Sequence, residues 1–289
     1  MTSRVAVVTG DHPVLLSQTE KHEPVRDLAC DLEVMTDPKT FYDSLAADYH
    51  LMFRDWWARA TWQGEVLDRL LRAHGVPAGA TLLDCTCGVG TQALPLAERG
   101  YVVTGTDLSP GAVAQARREA DERGIDIRLG TADVRTLTVP VPFDVAVSAD
   151  NCLPHLRSDA DMHAALTSIR ACLRPGGVFL ATVRDYDLLA GERVTGVPAV
   201  TFDDGDGRRI VGQTWTWTDD MSTVTFDLFI LTRQERDWQA AVRTTTYRAW
   251  RRQELTAALS AAGFVDITWH EPDAHGYHQP LVIARSSGG

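Results

Sequence analysis

Leu82 to Gly90, read as LLDCTCGVG over residues 82–90, decides how this chain folds. A short apolar run ends in an acid, Asp84, and passes directly into Gly88-Val89-Gly90. That is a buried strand followed by a turn too sharp for ordinary side chains, opening into a helix. Such a unit holds a ligand at the carboxyl end of its strand, and the question is which ligand. A P-loop is excluded because no Gly-Lys-Ser/Thr follows. The glycines alone leave a dinucleotide open, since Ala93 is small enough for the third position of G-x-G-x-x-G. The acid discriminates better. A carboxylate at Asp84 repels a pyrophosphate but suits an ammonium group, directly or through water.

Working outward, strand and helix signals alternate. YVVTGTDLS reads as a second strand, and Ser109-Pro110 starts the helix PGAVAQARREADERG with a capping serine and a proline at its first position. IDIRLGTAD, FDVAVSADN and VFLATVRDY are further strands, with the helix SDADMHAALTSIRACLRPGG between the last two. VDITWHE and QPLVIARS close the chain as two more. The expected fold is α/β: a Rossmann-like, mostly parallel seven-stranded sheet flanked by helices. Upstream, Leu45, Tyr49, Met52, Phe53, Trp56, Gln63, Val66, Leu67, Leu70 and Leu71 keep helical spacing, which predicts two helices broken near Asp55–Trp57. After residue 200 the period drops to two, and RRIVGQTWTWTDD, STVTFDLFILTR and WQAAVRTTTYRAW predict three antiparallel strands. The resulting division is an N-terminal arm at 1–37, a helical cover at 38–75, a ligand-binding core at 76–190, an antiparallel cap insertion at 191–250, and a helix and strands completing the core at 251–289.

Hydrophobic residues make up 44% of the 289 and charged residues 23%, the balance of a globular chain able to bury a large core. Lys and Arg number 28 against 39 Asp and Glu, a net charge of -11. The basic footprint of a nucleic-acid binder is missing, so no nucleic-acid partner is expected, while a homo-oligomer stays open. No stretch approaches the ~18 apolar residues of a membrane span. MTSRVAVVTGDHP lacks the pattern of a secretory leader, which makes the cytoplasm the expected location. Cys30, Cys85, Cys87, Cys152 and Cys172 are too sparse for a disulfide scaffold, and Cys85-Thr86-Cys87 falls one residue short of a C-x-x-C pair. His270, His275 and His278 have loop-like spacing and no convincing fourth ligand, so no metal is expected.

Asp84, Asp107 and Asp133 end three consecutive strands. A carboxylate at the end of the second strand can take both hydroxyls of a ribose. At the third, Asp133 can meet an adenine amine while Val134 covers the ring. The three acids outline a ligand with an amino-acid end, a ribose and an adenine, and no phosphate.

On these residues the chain resembles the class I S-adenosylmethionine-dependent methyltransferases. LLDCTCGVG, the acid of GTDLS, the pair in TADV and LRPGG stand in that family's order, over about residues 40–285. The resemblance implies S-adenosylmethionine as methyl donor, S-adenosylhomocysteine as product, and a donor site of Asp84, Gly88, Gly90, Asp107, Leu108, Asp133, Val134 and Ala149. YDSLAADYHLMFRDW is similar to the opening of small-molecule N-methyltransferases related to the glycine and sarcosine enzymes. By that match Tyr42 and Tyr49 line the shared cavity, and Gln63 stands near the methionine carboxylate where an arginine is usual. Asn151 and His155 in SADNCLPHL match acceptor-side positions, as do Arg184 and Tyr186 in VRDYD. Arg184 is the counterpart of a substrate-carboxylate ligand, with Asp185 beside it as a group that could neutralise it. Trp215 and Tyr247 of the cap complete the acceptor side, and Tyr277 with His278 are expected at the rim.

The implied activity is methyl transfer to a small molecule, an amino acid or another amine. Methyl transfer from a sulfonium is an in-line substitution, so alignment is the main task of the protein. Tyr42 and His155 are the candidate proton acceptors should the nucleophile need one. Asp43, Asp150 and Asp185 are candidates for attracting an ammonium. Two alternatives remain: O- or C-methylation of an aromatic metabolite held by the aromatic cap, and a donor-binding scaffold without turnover.

Overall fold

The computed structural model describes residues 37–287. The arm expected over 1–37 therefore lies outside the described residues except for Asp37, and Cys30 lies outside with it. Asp37 caps α1 (Pro38–Leu45) by accepting from the Thr40 N–H, and a 3-10 segment, Ala46–Met52, follows. Asp55 then adopts an extended conformation and its carboxylate accepts from the Ala58 N–H, which breaks the cover and starts α2 (Trp56–Ala73).

Alternation begins with β1 (Thr81–Asp84), α3 (Ala93–Glu98), β2 (Val102–Asp107) and α4 (Pro110–Arg123). Next come β3 (Arg128–Thr131), β4 (Phe143–Ser148), α5 (Asp159–Ala171), β5 (Leu173–Thr182) and α6 (Tyr186–Gly191). The excursion contributes β6 (Gly196–Asp204), β7 (Gly207–Trp217), β8 (Thr223–Gln234) and β9 (Asp237–Arg248). The chain then returns through α7 (Arg252–Ala261), β10 (Phe264–His270), α8 (Pro272–His275) and β11 (Leu281–Ser286).

The main sheet has seven strands in the order β10-β11-β5-β4-β1-β2-β3. Strands β1 to β5 pair in parallel, while β11 runs antiparallel to both β5 and β10. Central strands covered on both faces must be apolar throughout, and Leu82, Leu83, Val145, Ala146 and Val147 are all buried. Full burial contributes about 1.5–3 kcal/mol for each leucine or valine. As the sequence indicates, α4 starts at Ser109, whose hydroxyl accepts from the Ala112 N–H, with Pro110 next. Because the strands are parallel, their carboxyl ends all open on one edge of the sheet.

The cap is a separate antiparallel sheet ordered β6-β7-β8-β9. Alternation along β8 buries Val224, Phe226, Leu228 and Ile230 against Phe41, Leu45, Trp215 and Tyr247. The cap thus has four strands where the period-two pattern predicts three. The extra strand, β6, is an edge strand containing Pro198, and its register shifts between Val197 and Val200. A proline cannot donate to a ladder, so edges and bulges are where it is tolerated, and the alternation is lost there.

Two arginines tie cap to cover. Fully buried Arg209 donates to the carbonyls of Leu51 (2.8 Å) and Phe53 (2.6 Å) and pairs with Asp204. Arg243 donates to the Ser44 carbonyl and pairs with Asp48. The cover is tied to the core by Asp43, which accepts from the Ser109 hydroxyl and the Gly111 N–H at the start of α4. Asp43 is thereby a structural clamp and not part of an ammonium-attracting cluster. No helix among the described residues is long and apolar enough to cross a membrane.

Candidate functional site

Gly88 and Gly90 take φ values of 52° and 91°, so the chain reverses sharply after β1. A Cβ on Gly90 would sit 2.7 Å from Leu94 Cγ, which shows how closely the turn is packed onto α3. The Gly88 N–H donates to Asp107 Oδ2 (2.9 Å), and the Ser109 N–H donates to Oδ1 (2.9 Å). These bonds fix the carboxylate in one orientation and leave each oxygen a lone pair for a ribose hydroxyl. Asp84 is buried behind the turn. Its Oδ1 accepts from the Thr86 N–H, whereas Oδ2 has no partner among the described residues. Burial pushes its carboxyl up to about 7, and Asp107 and Asp150 push the same way against the Thr86 bond. A buried, partnerless carboxylate oxygen fits a ligand that brings a cation.

A cavity of about 350 Å³ runs along the strand ends, lined by Asp107, Leu108, Asp133, Val134 and His155 among others. Asp133 is bound by the Arg135 guanidinium, which holds its carboxyl below the usual range, and Arg135 also reaches Asp161. A smaller pocket of about 50 Å³ continues past Tyr49, Gly88, Gln92, Ala149 and Asp150. Beyond it, under the cap, opens a chamber of about 910 Å³ walled by Gln63, Arg184, Trp215, Phe226 and Tyr247. Tyr42 lines all three spaces, and Tyr49 and Asp150 line both the small pocket and the chamber. These three residues form the partition across which a group would pass.

The strand-end spaces therefore bring together Gly88, Asp107, Leu108, Asp133, Val134 and Ala149, with Tyr49 in the wall of the small pocket, whereas Asp84 is buried behind the turn and lines none of the three. Gly90 acts through the turn and lines none of the three spaces. Gln63 departs from its expected place. It is buried on the chamber side, its amide hydrogen-bonded to Gln92 and directed toward Asp150 Oδ2 (3.3 Å), so it is engaged by protein groups and not by a free carboxylate site. Gln92, which faces the small pocket, also donates to Asp150 Oδ2 (2.8 Å).

Asn151 and Tyr186, expected to touch acceptor, line none of these three spaces. Asn151 donates to the Tyr186 hydroxyl (2.9 Å) and accepts from the Arg184 N–H (3.0 Å), and both side chains are buried. Their polar atoms are satisfied by each other, so they brace the loop after β4. That loop carries two consecutive left-handed residues, Asp150 (φ 56°) and Asn151 (φ 66°). The strain is of order 1–3 kcal/mol per residue and persists only where the surroundings impose it. Here Thr182 imposes it, its hydroxyl and carbonyl accepting from the N–H groups of Asp150 and Asn151.

Arg184 points its guanidinium over Trp215 (4.9 Å to the ring centroid), with Tyr247 at 5.7 Å. Asp185 does not neutralise it: that carboxylate caps α6 by accepting from the Leu188 N–H. Among the described residues no carboxylate lies within ion-pair distance of Arg184. Trp215 and Tyr247 line the chamber as the wall beneath it.

Tyr42 and His155 meet, Oη to Nε2 at 3.1 Å. Burial, reinforced by Arg184 and Arg157, drives the His155 imidazole down to about 3, and burial pushes the Tyr42 phenol well above its ordinary value. His155 is thus a neutral hydrogen-bond partner near neutral pH and a poor proton acceptor, and Tyr42 stays a phenol. Both shifts work against a proton acceptor at this pair near neutral pH. Tyr277, read as a rim residue, reaches further in than the sequence indicates, while His278 stays exposed where it lines the chamber. The Tyr277 hydroxyl is buried within reach of Asp150 Oδ1 (2.8 Å) and Gln63 Oε1 (2.9 Å).

A nucleoside-sized crevice at the ends of parallel strands, closed by a glycine turn and opening into an acceptor chamber, is the arrangement of an S-adenosylmethionine-dependent methyltransferase fold. Residues 82–177 match the family profile described as a methyltransferase domain, and the chain carries that domain. Over 137 residues it is 34% identical to a glycine/sarcosine N-methyltransferase of Parasynechococcus marenigrum, covering 47% of this chain and 48% of the relative. Over 109 residues it is 36% identical to a ubiquinone biosynthesis O-methyltransferase of Pseudomonas paraeruginosa, covering 37% and 45%. The chain spans about half the length of the curated relatives it matches. Among solved structures, an amino pentose methyltransferase from Micromonospora echinaspora superposes with a TM-score of 0.64 at 25% identity, over 83% of this chain and 95% of that one. A sugar N-methyltransferase from Streptoalloteichus gives 0.66 at 16% identity, over 96% and 100%, a likeness of fold alone.

Proposed function

We propose that this protein transfers a methyl group from S-adenosylmethionine to the amine of a small molecule. The observation that carries this reading is the partition of Tyr42, Tyr49 and Asp150 between the strand-end crevice and the chamber. Bound in the crevice, the donor would supply a methyl already activated on a sulfonium. Asp107 would hold its ribose, Asp133 and Val134 its adenine, and Asp84 its ammonium. The aromatic rings of Tyr42 and Tyr49 would face the charged sulfur, a favourable placement for a cation.

An amine acceptor is supported by the chemistry of the partition. Phenol methylation needs a proton removed in step with attack, and the Tyr42–His155 pair is unsuited to that. An amine attacks once its ammonium has lost a proton, which can happen before the methyl-transfer step itself. A chamber of about 910 Å³ is at the upper end of what drug-sized ligands fill, far more than glycine or sarcosine requires. That favours an amine carried on a larger body such as a sugar, in keeping with the amino pentose methyltransferase likeness. Arg184, free of carboxylate partners among the described residues, is placed to take an oxygen-rich part of the acceptor.

The test is incubation with methyl-labelled donor and a panel of glycine, sarcosine, amino sugars, alkylamines and phenols. Label is expected on amines, with amino sugars ahead of glycine, and Arg184→Ala should raise the acceptor KM. Label on phenols alone overturns the amine reading, and donor binding without any transfer would point to a scaffold.

A further inference from the structure

The loop between α8 and β11 places an imidazole, expected from the sequence only at the pocket rim, beside the acidic partition residue Asp150. His278 is the histidine that lines the acceptor chamber, whereas His155 lines the donor crevice. Its Nε2 lies 3.4 Å from Asp150 Oδ1, and its side chain keeps 32% of its surface exposed. The ring leans on Tyr277 (4.6 Å) and Trp62 (6.3 Å), which limit its rotation. Asp150 is itself immobilised: Gln92 and Gln63 hold Oδ2, Tyr277 reaches Oδ1, and its backbone is locked in the left-handed region. A carboxylate within ion-pair distance of one imidazole nitrogen, with no protein hydrogen bond to the other among the described residues, can orient a base.

The chemistry supplies the need. An alkylamine with a lysine-like pKa of about 10.4 is unprotonated in only ~1 molecule in 10³ near neutral pH. Building on the amine reading above, we propose that His278, oriented by Asp150, takes the proton from the acceptor's ammonium at the chamber wall. With Nε2–H donated to Asp150, Nδ1 accepts the proton and the imidazolium rests against the carboxylate. The freed lone pair forms the N–CH₃ bond, the C–S bond breaks, and its electron pair stays on a neutral thioether sulfur. His278 then releases the proton to water through its exposed edge. His278 is the catalytic residue here and Asp150 the positioning one.

The charges around the ring agree with a base that is empty at neutral pH. Partial burial lowers the imidazole's affinity for a proton; Asp150 acts against that, and Arg59 on α2 and Arg184 after β5 act with it. Tyr277 and Trp62 complete its surroundings without charge.

The experiment is a pH profile of kcat/KM from pH 6.5 to 10 on an amine that the wild type methylates, with His278→Gln alongside. At pH 7 the variant should be slower by about 10²-fold, the lower range for a general base. Near pH 10, where the amine arrives unprotonated, the gap should shrink to within about threefold. A gap equal at all pH values, or none at pH 7, overturns the proposal. Donor affinity by calorimetry should match between the two proteins, and a loss there marks a folding defect, for which His278→Asn is the second variant. Independently of turnover, Asp150→Asn should lower the NMR titration midpoint of the His278 C2–H; no change sinks the pairing. If no amine takes label from the wild type, the amine reading fails, and the titration still decides whether Asp150 governs His278.

Discussion

Asp84→Asn offers the sharpest quantitative test, because the wild-type carboxyl is buried with one oxygen unpartnered. A rise from the ordinary 3.8 to about 7 means that the folded chain keeps this proton after the unfolded chain has lost it. Below pH 3.8 both states are protonated and the group is neutral in its effect. Between 3.8 and 7 the unfolded state is the ionised one, so stability falls as pH rises. Above 7 both are ionised, and the accumulated cost is about 4 kcal/mol at ~1.36 kcal/mol per pKa unit. Asparagine carries no such term. Its own unpartnered N–H costs something, but equally at every pH. Urea unfolding of both proteins without ligand should therefore show the variant gaining about 2 kcal/mol on the wild type between pH 5.5 and pH 8. A ligand cation beside Asp84 reverses the advantage: donor affinity should climb with pH through 7 in the wild type and stay flat in Asp84→Asn. A stability difference that does not change with pH would refute the reasoning.

On the proposed donor placement Asp107→Ala would remove the acceptor of two ribose hydroxyls, so at ~1.5 kcal/mol for each charge-assisted bond the donor Kd should rise about 10²-fold by calorimetry. An unchanged Kd overturns the ribose placement. Arg209→Met leaves the Leu51 and Phe53 carbonyls without their donor, and a loss of about 3 kcal/mol in denaturant, with faster amide exchange across residues 46–53, is the expected result. If exchange there is unaltered, Arg209 does not tether the cover. Gly90→Ala forces a side chain to φ 91° against Leu94 and should cost about 2 kcal/mol or more, read from the same unfolding curves.

The central sheet was legible because its causes are local. Asp84 and the two glycines, the Ser109-Pro110 start of α4 and the apolar strand cores each declare themselves within ten residues. Strand β6 was not, since Pro198 and an edge position erase alternation. Nor was the polar cage at Asp150, assembled from residues 63, 92, 150, 277 and 278 with no spacing to link them. His155 was legible as a residue near the partition but not as one unfit to be a base. Its affinity for a proton is set by burial and by Arg157 and Arg184, which only the folded chain brings near. Asn151 and Tyr186 look acceptor-facing in the sequence for a similar reason, because nothing in their order reveals that each satisfies the other.

The seam stitched by Arg209 and Arg243 has a practical corollary for anyone re-engineering selectivity. Residues 196–248 form one contiguous block, which invites transplanting it wholesale from another scaffold. Yet its guanidiniums terminate on the Leu51 and Phe53 carbonyls and on Asp48, outside the block. A graft that brings a new roof without its matching stretch around residues 44–53 would leave severed bonds on both sides, so the two segments must travel as a pair.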